Sequence, residues 1–482
     1  MADHTALRRW LLLFCALFPI LAIWALANPM FASPDEPVHM VRAQGFSNLD
    51  FSNPYRTDGI PVDAAACFVQ LPDVTAECME LDWMAGTVEI DARSTNGYPP
   101  LLHLAAAIPA VFVDGLVGAY AMRLWMAAVV AAGFAWAAML LSRPGIGPWP
   151  VTGLILAMTP QVIFISSSVN PSGITAAGAA LLIAAVISAR LTARITRGVI
   201  VAALVGAGAM VLTRREGTLM LAAVLLALAP LMPPQPVDTL RRAISDAGRA
   251  HRNRVLAGVG AAVVAVGLVW WRWGEYAAGF LRSPGQRRGT LDLAEAVRTL
   301  PRYFSEMLGR FGWMEAPIGV RLETVGTVAI ALLLLMAIAL GRRRFVLATL
   351  WAMAVAAAVV VIAGMVEVDY LQARYVFPLW LAMMMVAGAA VETAELPQRV
   401  SMRLSAALLM VWAVLQVGGF FVNQRRYSVG YTDIWEIGAV SRWDPPMMST
   451  TVSIVVFIAV MVVAGWLYSL MRRGSDLFGE SS

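Results

Sequence analysis

Apolar runs of about twenty residues, broken by short polar or charged stretches, recur along most of the chain. A helix rising about 1.5 Å per residue needs about twenty residues to cross bilayer hydrocarbon. The pattern therefore predicts spans near residues 10–28, 118–141, 150–168, 171–189, 198–213, 217–232, 255–271, 324–341, 345–365, 373–391, 403–422 and 450–471, about twelve transmembrane helices with no internal sequence repeat. The first run follows Arg8 and Arg9, and no small-residue cleavage site stands out, so it is expected to be a retained helix and not a signal peptide. The runs at 198–213 and 217–232 are short and joined by Thr213-Arg214-Arg215-Glu216-Gly217, which suggests a re-entrant or recessed hairpin lining a cavity. The stretch from Tyr98 to Val113 is too short to span and is expected to lie along the membrane surface or dip into it as a helix.

Charge orients these helices. Arg190, Arg194 and Arg197, the arginines between Arg241 and Arg254, Arg342 to Arg344, Arg399 with Arg403, and Arg472 with Arg473 all fall on the side that carries the termini. The bias of cytoplasmic loops toward basic residues then places both ends in the cytoplasm of a multi-pass inner (plasma) membrane protein. The organisation expected is a first span at 1–28, an outer loop at 29–117 containing short helices, spans two to seven at 118–271, an outer loop at 272–323, and spans eight to twelve at 324–482 with an outer loop at 423–449. Composition agrees: 59% of the 482 residues are hydrophobic and 14% charged, against about 25% charged in a soluble domain. The net charge of +5 is no sign of nucleic acid as a partner, because the arginines flank apolar segments; membrane lipids are the partner implied. Cys67 and Cys78 share one polar loop, and two cysteines in an exported loop are expected to pair as a disulfide.

The strongest local signal follows the first span: Ser33-Pro34-Asp35-Glu36-Pro37-Val38-His39-Met40-Val41-Arg42. Pro37 suits a first helical position, so the two acids sit at a helix mouth, with His39 and Arg42 on one face at a three-residue spacing. A capping box of Ser33 with Glu36 is the alternative, although Pro37 would then fall inside the first turn. Carboxylates at a membrane face are costly without a task, which makes Asp35 a candidate general base, Glu36 its partner or a ligand to a divalent metal (Mg, Mn or Ca), and His39 an orienting group. Arginines at outer helix ends suit phosphate, and two places offer them: Arg214 with Arg215, and Arg374. Asp369 or Glu367 could instead be a salt-bridge partner of Arg374. Weaker substrate-binding candidates are Arg42, Tyr98, His103, Asn170, Trp313, Glu315, Tyr370 and Gln372; an outward Trp is equally an interfacial anchor, and Asn170-Pro171 equally a turn.

Pro34-Asp35-Glu36-Pro37 with His39 and Arg42, then Tyr98-Pro99-Pro100, Asn170-Pro171, Phe311-Gly312-Trp313 and Gln372-Ala373-Arg374-Tyr375, together resemble the bacterial membrane family called domain of unknown function 2142. Two positions depart from its pattern: Ser172 where an acid is expected, and Ala373 where Gly is expected. That family is similar to GT-C glycosyltransferases, multi-span enzymes with an acidic motif in the first outer loop and a polyprenyl-phosphate-sugar donor. The resemblance implies an all-α, GT-C-like polytopic fold, with Asp35 as the base candidate. It further implies transfer from a polyprenyl-phosphate-linked sugar donor to a glycan or lipid-linked acceptor on the outer face. In such a transfer a carboxylate takes the acceptor hydroxyl's proton while cations or a metal hold the departing lipid phosphate. A flippase or transporter for lipid-linked glycans would show repeated halves and ionisable residues near the midplane, whereas here charge gathers at outer helix ends. A glycan polymerase or ligase stays open as a related enzyme.

Overall fold

The computed structural model describes residues 2–49, 55–58, 66–79, 87–90, 95, 98–232, 291–366, 372–436 and 438–477. The chain is an all-α polytopic membrane protein with two short pairs of antiparallel strands. Helix α1 (Ala2–Ala27) leads into α2 (Glu36–Ser47), the antiparallel strands β1 (Tyr55–Asp58) and β2 (Thr87–Ile90), and α3 (Leu101–Ala110). Then come α4 (Gly115–Leu141), α5 (Trp149–Ala157), α6 (Pro160–Ser166), α7 (Pro171–Thr192), α8 (Arg197–Thr213) and α9 (Gly217–Leu228). The second half holds α10 (Leu293–Arg298), α11 (Leu300–Leu308), the hairpin of β3 (Arg310–Phe311) and β4 (Ala316–Pro317), α12 (Val320–Leu340) and α13 (Arg343–Val366). A 3-10 turn (Ala373–Val376) enters α14 (Phe377–Glu392), followed by α15 (Gln398–Val429) and α16 (Thr450–Leu477).

Among the described residues eight helices are long and apolar enough to cross a membrane, or nine if a bent pair is one span. Four of the twelve expected runs fall outside those eight helices. The run at 150–168 is the bent pair, α5 and α6, turned by 67°. Pro160 cannot donate to the preceding turn, and Thr159 caps the new helix by accepting from the Val162 N–H at 3.4 Å. The carbonyls so freed are taken by side chains: Trp380 donates to Ala157, and Trp412 and Gln416 both donate to Met158. A broken helix survives at membrane depth when its backbone is satisfied in this way. The runs at 198–213 and 217–232 form α8 and α9, apolar helices shorter than a span. The run at 255–271 lies outside the described residues.

Packing sorts the helices into inner and outer ones. Helices α7 and α14 are buried along nearly their whole length, while α12, α13 and α16 expose Leu335, Ile362 and Val462 to the surroundings. Lipid is the solvent that tolerates such faces. Small residues let α5 and α14 touch backbone to backbone: a Cβ on Gly153 would lie 2.4 Å from the Met384 carbonyl, and one on Gly388 would lie 2.4 Å from that of Trp149. Trp24 of α1 packs among Phe164, Phe311, Phe420 and Phe457, bringing α1, α6, the β3 hairpin, α15 and α16 together beneath the end where Asp35 sits. Helix α3 leaves Leu101, Leu104 and Ile108 exposed beside that end, as a helix lying in the interface would.

Candidate active site

Between α1 and α2 the backbone is irregular, and its carbonyls are satisfied almost one by one from distant elements. Arg123 donates to Ala25, Asn28 and Pro29, Trp313 to Phe31 at 3.0 Å, and Asn170 and Arg374 both to Pro34 at 2.9 Å. Two residues in this stretch, Phe31 (φ 64°) and Asp35 (φ 63°), adopt the left-handed region. Holding a side chain there costs on the order of 1–3 kcal/mol and persists where surrounding structure enforces it. Here the clamp on the Pro34 carbonyl is the enforcing contact for Asp35.

Asp35 is the N-cap residue of α2, yet its side chain makes no capping bond. It turns instead to Arg374, whose Nη2 donates to Oδ2 at 2.5 Å. The Ser33 and Glu36 capping box is not formed either, because Ser33 Oγ accepts from Ser168 and the Glu36 carboxylate is engaged elsewhere. The Asp35 side chain keeps 38% of its surface exposed although Arg374 is buried, and among the described residues Oδ1 accepts no hydrogen bond. Burial pushes its pKa up, but Arg374 above all, through its charge and its hydrogen bond, with smaller contributions that include Arg214, outweighs that and holds the carboxyl below the ordinary carboxylate range. Arg374 and Arg214 both lie against the ring of Tyr375, at 5.1 Å and 4.3 Å from its centroid, so the two guanidiniums share one aromatic wall. Arg214 donates to Ser172 at 2.6 Å and to Glu216 at 3.2 Å. Ser172 therefore fills with a hydroxyl the place where the family pattern expects an acid. An ionised carboxylate with an open oxygen beside two positioned cations can accept a proton from a hydroxyl while an anion leaves toward the cations.

Glu36, adjacent in sequence, has a different fate. Both its oxygens are taken by Arg123, at 2.8 Å and 2.5 Å, and Oε1 also accepts from the Val169 N–H; neither side chain exposes more than 1% of its surface. Arg123 ties the end of α1, α2 and α4 into one unit. Among the described residues no group of three or more His, Cys, Asp and Glu side chains converges as a metal site requires. Glu36, occupied in this way, has no oxygen open to a ligand, whereas Asp35 keeps one.

His39 and His103 are buried together, with Nδ1 of one 3.1 Å from Nε2 of the other. Tyr98 packs edge-on against His39 at 4.9 Å. Burial pushes His39 down to about 3 and His103 well below its ordinary value, so the pair is two neutral rings sharing one proton bridge. Burial raises the Tyr98 hydroxyl, and Arg214 and Asp35 are among the charges acting on it, which places the tyrosine at the same corner. Arg42 lies against Phe46 and donates to the Thr95 carbonyl.

The remaining candidates divide. Asn170 reaches the corner through Pro34, and it also caps α7 by accepting from Ser172 N at 3.0 Å. Gln372 is half-buried at the start of the turn carrying Arg374, and its Oε1 is buried without a hydrogen-bond partner among the described residues. Arg215 is half-exposed and pairs with Glu216 at 3.6 Å. Glu315 pairs with the buried Arg426 at 3.1 Å, and Arg426 also donates to Phe68, Leu71 and Val74. That pair pins the loop in which Cys67 and Cys78 are disulfide-bonded. Tyr370, Asp369 and Glu367 lie outside the described residues. The sequence pattern does not single out Arg123 or Glu306, the latter fully buried and accepting from the Ala373 N–H at 3.1 Å, which sets the turn before Arg374, and it includes Tyr375 in a motif without giving it a role. An arginine within an apolar span was the one signal available for Arg123; Glu306 offers none.

A family model, DUF2142 predicted membrane protein, matches residues 18–384. No curated protein matches the chain. Solved structures that resemble it include ArnT from Cupriavidus metallidurans bound to undecaprenyl phosphate, 18% identical with a TM-score of 0.48, covering 96% of this chain and 72% of that one. The apo state of ArnT from the same organism is 16% identical with a TM-score of 0.49, covering 96% of this chain and 76% of that one. At this distance neither likeness bears on activity.

Proposed function

The chain belongs to the domain of unknown function 2142 family, and we propose that this member is a GT-C-like glycosyltransferase working on the outer face of the inner membrane. It moves a sugar from a polyprenyl-phosphate donor to a cell-envelope glycan or lipid-linked acceptor. The observation that carries the reading is the open carboxylate of Asp35 set against Arg374 and Arg214 at one end of the bundle.

Asp35 accepts the proton of the acceptor hydroxyl as that oxygen bonds to the anomeric carbon. The bond from the anomeric carbon to the donor's phosphate oxygen breaks, and its electron pair leaves with the polyprenyl phosphate. Arg374, fixed by Pro34 and Asp35, and Arg214, fixed by Ser172 and Glu216, meet the charge that develops on that phosphate. His39 and His103 shape the wall without titrating near neutrality. Mass analysis of envelope glycans from a deletion strain complemented with wild type or Asp35→Asn tests the reading. The expected outcome is a sugar lost in the deletion strain, restored by wild type and not by the variant; identical glycans in all three strains would sink it.

A further inference from the structure

The end of the bundle opposite Asp35 carries a second concave polar site. Helix α1 packs on both α4 and α16, so Arg9 near the start of α1, Arg143 just past α4 and Arg472 toward the end of α16 meet despite their distance in sequence. All three are half-buried and line a cavity of about 350 Å³ together with Ser142, Gly147 and Gln398. Among the described residues lining it, none is acidic.

The loop that forms its floor is fixed. Ile146 N donates to the Arg143 carbonyl at 3.0 Å, closing a turn with Gly145 at φ +83°. Glu392, behind the loop, accepts from the N–H groups of Gly147 and Trp149 at 2.8 Å and 3.2 Å, and its charge also acts on Arg472 without lining the cavity.

Depth identifies the occupant. Arg9 precedes the apolar run of α1, Arg143 follows the apolar end of α4 at Leu141, and Arg472 closes the apolar stretch of α16. All three therefore stand where hydrocarbon gives way to headgroups. Orientation by positive charge requires arginines near the membrane, but it does not require three elements to converge on one pinned concavity. Guanidiniums bind phosphate oxygens bidentately, and basic pockets between helix ends at this depth suit anionic headgroups.

We propose that the Arg9, Arg143 and Arg472 pocket binds the phosphate of an anionic phospholipid headgroup. Native mass spectrometry of the full-length protein, released from detergent containing phosphatidylglycerol or phosphatidylcholine, tests this. The wild type should retain phosphatidylglycerol in preference to phosphatidylcholine. The preference should fall about five-fold in Arg143→Gln and about a hundred-fold in R9Q/R143Q/R472Q. Arg143 lies on a loop outside the spans, so the single variant decides the matter even where the triple one does not fold. Millimolar inorganic phosphate should leave the bound lipid in place. Equal retention of the two lipids by the wild type, an unchanged preference in Arg143→Gln, or displacement of the lipid by inorganic phosphate would each overturn the proposal.

Discussion

The corner around Asp35 and the knot around Arg426 are assembled from the same parts: a carboxylate, a buried arginine and a run of backbone carbonyls. At the knot the pair is shut away from solvent. Arg426 spends its N–H groups on Glu315, Phe68, Leu71 and Val74, and only 8% of the Glu315 side chain is exposed. At the corner Arg374 is equally buried, but its partner Asp35 keeps 38% of its surface and one oxygen open. Closure distinguishes a strut from a site. A closed pair cannot be reached by a substrate, even though Glu315 Oε2 has no hydrogen-bond partner among the described residues, whereas an open one already holds its cation in place and still has a base to offer. The pair of Glu36 and Arg123 lies on the closed side of this division, one residue away from Asp35.

The division is sharpest between these neighbouring acids. Asp35→Asn should lower transfer by roughly 10²–10⁴-fold while donor binding stays near wild type, because the amide keeps the shape but cannot take a proton. An in vitro assay with a lipid-linked sugar reads this, and a wild-type rate would move the base assignment away from Asp35. Glu36→Gln should do the reverse. Breaking a buried pair costs roughly 3–5 kcal/mol, seen in thermal or denaturant unfolding, with the specific activity of the remaining folded protein preserved; a stable but inactive variant would erase the distinction.

Arg374→Ala should weaken polyprenyl phosphate binding and slow turnover together, by about 10²-fold in rate, since the same group binds the phosphate and meets its charge on departure. A change confined to binding would make Arg374 a docking residue only. The smallest effect concerns pH. His39 stays neutral in the fold down to about 3, while in the unfolded chain it takes up a proton near its ordinary value of 6.5. Stability should therefore fall as pH drops from about 6.5 toward 3, because there the unfolded state binds more protons. Melting temperature against pH should show this slope, shallower in His39→Gln; an identical slope would assign the titration to other groups.

Asp35 was legible in the sequence because two prolines and a helix mouth punctuate it, and Arg374 because it breaks the charge bias of span ends. The spans were legible wherever apolar runs were long and uninterrupted. What stayed hidden is direction. Consecutive residues at a helix start point about 100° apart, so Asp35 and Glu36, joined on the page as one acidic motif, face different partners from different helices. Arg123 was hidden by its span, whose apolar average conceals a single charge facing inward. Glu315 looked like part of a binding motif, since nothing local shows that its partner lies 111 residues away. The bend at Met158 was hidden by hydropathy itself, which is blind to where a proline interrupts an apolar run.

That bend bears on how the chain is made. The carbonyls of Ala157 and Met158 receive their hydrogen bonds from Trp380, Trp412 and Gln416, which emerge from the ribosome more than two hundred residues later. Until those side chains arrive, the 149–166 segment waits with exposed acceptors in a solvent that cannot hydrate them. The first half of the protein thus remains provisional during synthesis, and the C-terminal helices do not merely add to the bundle but complete it.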